Sequence, residues 1–249
     1  LVKLLLARKE DLDDITVEQW FSKDFLNSNF YMFWRTMFAF QTWHSVLEMK
    51  LYMHRFLHLM DGLNDMTSLV FPRYNQHDSF VLPLLGWLKD KGVTVQLDTI
   101  VTDLEIEIRD ESLTTTAIEC RTSNGDETIK IGARDLVFVT TGSMVEDTAY
   151  GDGDTVPELK IGEQSPNACS GWQLWKNLAK KSPVFGRPDK FCGNVAASMW
   201  ESVTLTCTPS PLIDKLKELS VNDPYSGKTV TGGIITFTDS NWLMNHKYE

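Results

Sequence analysis

The sequence predicts a mixed α/β fold, and three observations predict it. Residues 30–60 carry apolar side chains at the three-and-four spacing of helices. Ser123-Asn-Gly-Asp126 lies between two alternating segments, which is a hairpin signal. Asp135-Leu-Val-Phe-Val-Thr140 is a continuous apolar run that stops at Thr141-Gly142-Ser143, the pattern of a buried strand feeding a small-residue turn.

The elements follow in order. Residues 1–12 read as the end of a helix, and Asp11-Leu-Asp-Asp14 as an acidic turn. Ser22 with Asp24, and then Asn27-Ser-Asn29, are helix-start signals. Phe30 to Met60 reads as two helices broken near Gln41–Ser45. Val46, Met49, Met53, Phe56, Leu57 and Met60 form the apolar face of the second, which ends at Asp61-Gly62. Ser79 to Lys91 is a short amphipathic helix closed by Gly92. Val93–Leu97 and Ile100–Arg109 alternate as strands, as do Ala117–Thr122 and Glu127–Ile131 on either side of the turn. Gly151 to Ala168 is polar and loop-like; Trp172–Lys180 and Pro209–Leu219 are helical; Thr229–Thr238 is a strand.

Apolar residues make up 42% of the chain, enough for a proper core. A net charge of −10 argues against nucleic acid as a partner, because phosphate neutralisation needs clustered Lys and Arg. Cys120, Cys169, Cys192 and Cys207 include no Cys-x-x-Cys pair, so reduced cytosolic thiols are expected rather than a zinc ribbon or a disulfide framework. No apolar run reaches the roughly 18 residues of a membrane-spanning helix. Leu4-Leu-Leu-Ala7 is too short for a signal-peptide core. The chain begins at Leu and mid-helix, so it reads as an internal piece of a longer protein, truncated at both ends.

Residues 29–58 stand out chemically. They are aromatic and Met-rich, yet carry Arg35, His44, Glu48, Tyr52 and Arg55. Polar groups in an apolar wall are costly unless paired or used. On a helix running from His44, the spacing of four stacks His44, Glu48 and Tyr52 on one face, with Arg55 at the next step. Taken alone, these residues are better read as an ordinary solvated stripe with one His–Glu pair. Phe30, Tyr31, Phe33, Trp34, Met37 and Phe38 suit the wall of an apolar tunnel, or simply a core.

The chain closely resembles the oleate hydratase or fatty-acid hydratase family, flavoproteins first named myosin-cross-reactive antigens. The likeness covers nearly the whole sequence. It is densest in Phe38-Ala-Phe-Gln-Thr-Trp-His-Ser45, Tyr74-Asn-Gln76, Thr141-Gly-Ser143, Trp172-x-x-Trp-Lys-Asn-Leu178, Pro188-Asp-Lys-Phe-Cys192 and Gly227-Lys-Thr-Val-Thr-Gly-Gly-Ile-Ile-Thr236. It implies part of a Rossmann-like FAD-binding fold with a helical substrate-binding region. The expected division is 1–66 helical, 67–150 part of the FAD domain, and 151–249 an incomplete mixed remainder.

The resemblance also implies the chemistry: water adds across the cis double bond of an unsaturated fatty acid, giving a hydroxy fatty acid. Tyr52 matches the Tyr that protonates the alkene. The Glu that activates water belongs to a flavin domain outside this chain, and Glu48 is not its equivalent. Gln76, with Tyr74 and Asn75, matches the segment that holds the fatty-acid carboxylate; a turn-capping amide is the plain alternative for Gln76. His77 stands where many relatives carry an aromatic residue. Thr141, Gly142 and Ser143 would face FAD, with Val101 beside the adenine. FAD performs no net redox step in this chemistry. The usual Gly-x-Gly-x-x-Gly fingerprint is not in these residues. The expected partners are an unsaturated fatty acid, a second copy in the full-length protein, and peripherally a membrane surface around a cytoplasmic enzyme. The competing readings are a lipid-acting flavin oxidoreductase or isomerase, and a non-catalytic fatty-acid-binding fragment.

Other motifs fail on inspection. His54-x-x-x-His58 has no following Glu and no third ligand, so no metal site is expected. Gly227-Lys-Thr229 lacks the first glycine of a phosphate loop, because Asn222 stands there. Gly142-Ser143-Met144 lacks the second glycine of a nucleophile elbow, and Asp152-Gly-Asp154 is too short for a calcium loop.

Overall fold

A computed structural model describes residues 1–62, 68, 72, 74–109, 112–143, 145–146, 148–157, 171–205, 208, 211–220, 223, 233–237 and 244–248. Cys169, Cys207 and the Gly227–Thr229 motif lie outside these residues. The chain divides into two compact units, residues 1–84 with 201–249, and residues 85–200.

The first unit is built from short helices, and a hydroxyl starts each one from the second to the fifth. They are α1 (Val2–Leu6), α2 (Val17–Trp20), α3 (Lys23–Leu26), α4 (Asn29–Phe38) and α5 (Val46–Phe56). Thr16 caps α2 in a reciprocal box: its Oγ1 accepts from the Gln19 amide at 3.3 Å, and its own amide donates to Gln19 Oε1 at 2.8 Å. Ser22, Ser28 and Ser45 accept from Phe25, Tyr31 and Glu48 amides at the starts of α3, α4 and α5. The break between α4 and α5 therefore falls where the sequence places it.

The core of this unit comprises Leu4, Leu12, Val17, Tyr31, Trp34, Phe40, Val46, Met49 and Met53. Val46, Met49 and Met53 are the buried part of the expected α5 face; Phe56 and Met60 are half-buried and Leu57 is exposed. Lys50 is also buried, with its Nζ donating to the Ala7 carbonyl just past α1. That bond satisfies both a cation and a helix-end acceptor. Residues 15–18 strap the α4–α5 loop: the Val17 amide donates to His44 O at 3.0 Å, Glu18 to Thr42 O at 2.9 Å, and Val46 to Ile15 O at 2.9 Å. Farther along, α10 (Pro211–Ser220) and the antiparallel strand pair β4 (Gly233–Phe237) and β5 (Met244–Tyr248) belong to the same unit.

Gln76 precedes a single π-type turn, His77–Val81, which runs into α6 (Leu82–Asp90). In the second unit β1 (Thr99–Arg109), β2 (Ser112–Thr122) and β3 (Gly125–Lys130) form an antiparallel sheet in chain order. The β2–β3 loop is Ser123-Asn124, with Gly125 already paired to Thr122, so the turn sits one residue earlier than its Asn-Gly signal. A bulge in β1 between Val101 and Asp103 sets Thr102 out of register. Helix α7 (Gly171–Lys181) crosses the sheet and uses that irregularity. Asn177 Nδ2 donates to Thr102 O at 3.0 Å and Lys181 Nζ to Leu104 O at 2.6 Å. Leu174 and Leu178 meet Leu104, with Val101, Ile106, Ile118 and Phe185 around them. Helices α8 (Pro188–Cys192) and α9 (Val195–Ser198) follow.

Two expected strands are absent. Val93–Leu97 and Asp135–Thr140 form no ladder among the described residues, and all their residues but half-buried Val137 are exposed. Phe138 is 90% exposed and Leu136 82%. An apolar run records a demand for burial, and a strand needs a partner for its backbone groups as well. No described segment supplies that partner. The described architecture is thus helices with small antiparallel sheets.

Candidate functional site

Tyr52 projects from the middle of α5 and is half-buried. Three phenylalanines surround its ring. Phe38 lies 5.6 Å away at 74°, Phe40 5.2 Å at 82°, and Phe56 5.9 Å at 41°, measured between ring centroids and planes. Phe56 sits one turn along the same helix, whereas Phe38 and Phe40 come from the end of α4 and the residue after its cap. Ala39, between them, has left-handed backbone at φ 54°, ψ 36°. For an L-residue with a Cβ that conformation costs about 1–2 kcal/mol. Edge-on aromatic contacts of this kind each contribute roughly 0.5–1.5 kcal/mol beyond burial. The phenol therefore stands in an apolar, ring-lined setting on a rigid helix.

His44 is not part of a stack with Glu48 and Tyr52. Helix α5 begins at Val46, after Ser45 as cap. His44 lies in the loop, where its Nδ1 accepts from the Gln41 amide at 3.2 Å. Glu48 is exposed in the first turn, where a carboxylate favours the helix dipole. Arg55 is exposed in the last turn.

Of the expected wall residues, Tyr31 and Trp34 are fully buried core, Phe30 and Phe38 pack against that core, and Phe33 and Met37 are half-buried. Three polar atoms in this wall are buried with no hydrogen-bond partner among the described residues: Tyr31 Oη, Trp34 Nε1 and Arg35 Nε. Burial pushes the Tyr31 hydroxyl above its ordinary range, against the opposing pull of Arg35. Arg35 spends its Nη2 on Gln41 Oε1 at 2.9 Å.

Tyr74, Asn75 and Gln76 lie together on an exposed loop of the first unit. Asn75 is the capping residue: its Oδ1 accepts from the Asp78 amide at 2.9 Å and its Nδ2 donates to Asp78 Oδ2 at 2.6 Å. Gln76 makes no side-chain cap bond. Its amide is exposed and available as donor and acceptor.

Val101 and Thr141–Ser143 belong to the second unit. Val101 is half-buried on β1, opposite Cys120 and packed toward Leu104, Leu174 and Leu178. The Thr-Gly-Ser turn is seated on the start of α7. The Glu146 carboxylate accepts from the Ser143 amide at 3.2 Å through Oε2, and from the Gly171 amide through Oε1. Trp172 Nε1 donates to Ser143 O at 3.0 Å. Gly142 has φ +89°, and a Cβ on Gly171 would stand 2.7 Å from Gly142 N. Two backbones approach here as only glycines permit. Glu146 and Trp172 are site neighbours that the sequence reading did not assign to the site; the single Glu three residues after Ser143 and the family-like segment opening at Trp172 were the available signals. Among the described residues no three His, Cys, Asp or Glu side chains gather to hold a metal ion. No helix among them is long and apolar enough to cross a membrane.

Comparison with known proteins bears on this geometry. The model of the MCRA family matches residues 1–249. An oleate hydratase from Streptococcus pyogenes serotype M49 (strain NZ131) is 41% identical over 248 residues, which cover 98% of this chain and 41% of that protein. A linoleate hydratase from Lactiplantibacillus plantarum is 28% identical over 233 residues, 90% of this chain and 40% of that protein. The chain thus spans about two fifths of the length of the curated relatives it matches.

Proposed function

Because the chain belongs to the MCRA family, we propose that it is the part of a fatty-acid hydratase that carries the proton donor, Tyr52, and one contact to the fatty-acid carboxylate, Gln76. The observation that carries this reading is the half-buried Tyr52 phenol, ringed by Phe38, Phe40 and Phe56.

The chemistry asks for such a setting. Tyr52 transfers its hydroxyl proton to one alkene carbon, leaving phenolate and a carbocation on the other carbon. Water attacks that carbon, its surplus proton passes to a base, and a proton returned from that base or from solvent restores the Tyr52 phenol. A phenol with an ordinary pKa near 10 is a weak acid. It suffices only where water is excluded, charge is stabilised by placed dipoles, and the alkene is held against the O–H. The base in this reading is a Glu outside this chain. At the far end of the substrate, the Gln76 amide donates to the carboxylate, with Tyr74 and Asn75 shaping the loop.

Residues of the second unit suit a cofactor in part. Gly142 gives a turn with no Cβ, but the Glu146 carboxylate already fills the space a Cβ would take and binds the Ser143 amide. In this reading Val101, Thr141, Gly142 and Ser143 would lie against FAD, which shapes the site and performs no net redox chemistry. The same reading brings a homodimeric full-length protein able to touch a membrane surface.

The test is incubation of the full-length parent, which supplies that Glu, with oleate and FAD, read by mass spectrometry for the gain of one water. Product that disappears in Tyr52→Phe supports the assignment. Product undiminished in that variant removes Tyr52 from the mechanism. Oleate bound by the full-length parent without hydration favours a fatty-acid-binding role, a reading that the exposed Gln76 and the aromatic wall also support.

A further inference from the structure

We infer that Phe38, Ala39 and Phe40 form a positioning bracket for the Tyr52 phenol, a role that rests on the proton-donor reading above. Helix α4 ends at Phe38, and Ala39 turns the chain through the left-handed region. Were the helix to continue, side chains at 38 and 40 would diverge by about 200° and could not reach one ring. With the left-handed residue between them, both meet Tyr52 nearly perpendicular, at 5.6 and 5.2 Å.

Ala39 itself is exposed, so nothing packed on its methyl group keeps it in this conformation. The conformation is imposed from both sides. Phe40 is anchored in the core, 3% exposed, and stacks toward Trp34 at 6.5 Å. Beyond it, residues 42–46 are strapped by backbone bonds to Ile15, Val17 and Glu18. A strained non-glycine residue persists only where its surroundings over-determine it, and such residues gather at functional sites. A glycine at 39 would relieve the strain, so the strain is not what the bracket needs; the direction of the chain is.

Proton delivery explains why direction matters. A phenol donates along one O–H line, and its ring turns about only two side-chain torsions. Ring contacts on both flanks, with Phe56 on a third side, fix those torsions and exclude water from the ring faces. Phe38 and Phe40 touch the donor rather than the reacting atoms, so they are positioning residues.

The test places 3-fluorotyrosine at position 52 of the 249-residue chain and reads it by fluorine NMR. A bracketed ring gives two resolved lines from its two slowly exchanging orientations. Ala39→Gly, which keeps left-handed backbone, retains both. Ala39→Val, whose branched side chain disfavours that backbone, and Phe40→Leu each merge them into one line near the position of free fluorotyrosine. Should Ala39→Val fail to fold by circular dichroism, Phe40→Leu and Phe38→Leu carry the test. The bracket is overturned by a single averaged line in the unsubstituted chain, or by two unaltered lines in a folded Phe40→Leu variant. The hydration assay judges the proton-donor reading separately: Tyr52→Phe that hydrates undiminished removes that reading while leaving the spectra as they are.

Discussion

The hydroxyls of Thr36 and Thr236, 200 residues apart in sequence, share a hydrogen bond of 3.0 Å. Thr36 lies on α4 two residues before Phe38, and Thr236 lies on β4. The bond joins the two ends of the first unit beside the segment that brackets Tyr52. A neutral side-chain hydrogen bond of this kind contributes about 0.5–1.5 kcal/mol. Thr36→Val, Thr236→Val and the double variant form a cycle in chemical denaturation. The expected result is that each single change costs a similar amount and the double costs little more than either. Strict additivity would mean that the contact carries no energy.

Tyr31→Phe is expected to leave stability unchanged or raise it by about 1 kcal/mol. Tyr31 is fully buried and its hydroxyl has no partner among the described residues. An unsatisfied buried hydroxyl penalises the folded state, and the isosteric Phe removes the penalty without opening a cavity. Denaturation in urea checks this. A loss above roughly 1 kcal/mol would show that the hydroxyl is satisfied by a group within the folded chain.

Phe138→Asp is expected to be nearly silent for stability, within about 0.5 kcal/mol, because the ring is 90% exposed. A core phenylalanine would cost about 3–5 kcal/mol on truncation. The same variant should weaken binding of an apolar dye such as ANS, since Leu136, Phe138 and Val139 together expose an apolar segment. A sharp drop in melting temperature would instead place Phe138 in a packed interior.

Burial raises the thiol pKa of Cys120 and of Cys192 above the ordinary value. At Cys120 the carboxylates of Glu127 and Glu119 push the same way, while at Cys192 Lys176 opposes the shift. The folded chain therefore holds these protons more tightly than the unfolded chain. Their contribution is fully present below about pH 8.5, the unfolded thiol value, and is lost as pH rises from there through the folded value. Stability measured at stepwise higher pH should fall in that window, and less so in Cys120→Ala and Cys192→Ala. A flat profile would show that the thiols are as free to ionise in the fold as in the unfolded chain.

What the sequence reveals of this fold divides along physical lines. Helices α4 and α5 are legible because spacing and serine caps are local properties, written within four residues of each helix start. The β1–β2–β3 sheet is legible for the same reason, through alternation and a short turn. The expected His44–Glu48–Tyr52 stack fails because the cap residue Ser45 starts the helix two residues after His44. Strands at 93–97 and 135–140 fail because apolarity states a need for cover without naming what provides it. At the candidate site, Tyr52 is pointed out by resemblance rather than by periodicity. The contribution of Phe40 depends on left-handed backbone at an alanine, which no propensity signals. The one clue was a Phe-Ala-Phe repeat just before the expected helix break.

The hydroxyl caps have a further consequence, in how the first unit opens. Helices α2 and α3 have four residues each, α4 ten and α5 eleven, all at or below the length that persists in water alone. Their caps define where each begins without making any of them self-sufficient. Backbone amides across α2 to α5 should then exchange with solvent through one shared opening event, with protection factors that rise and fall together rather than helix by helix.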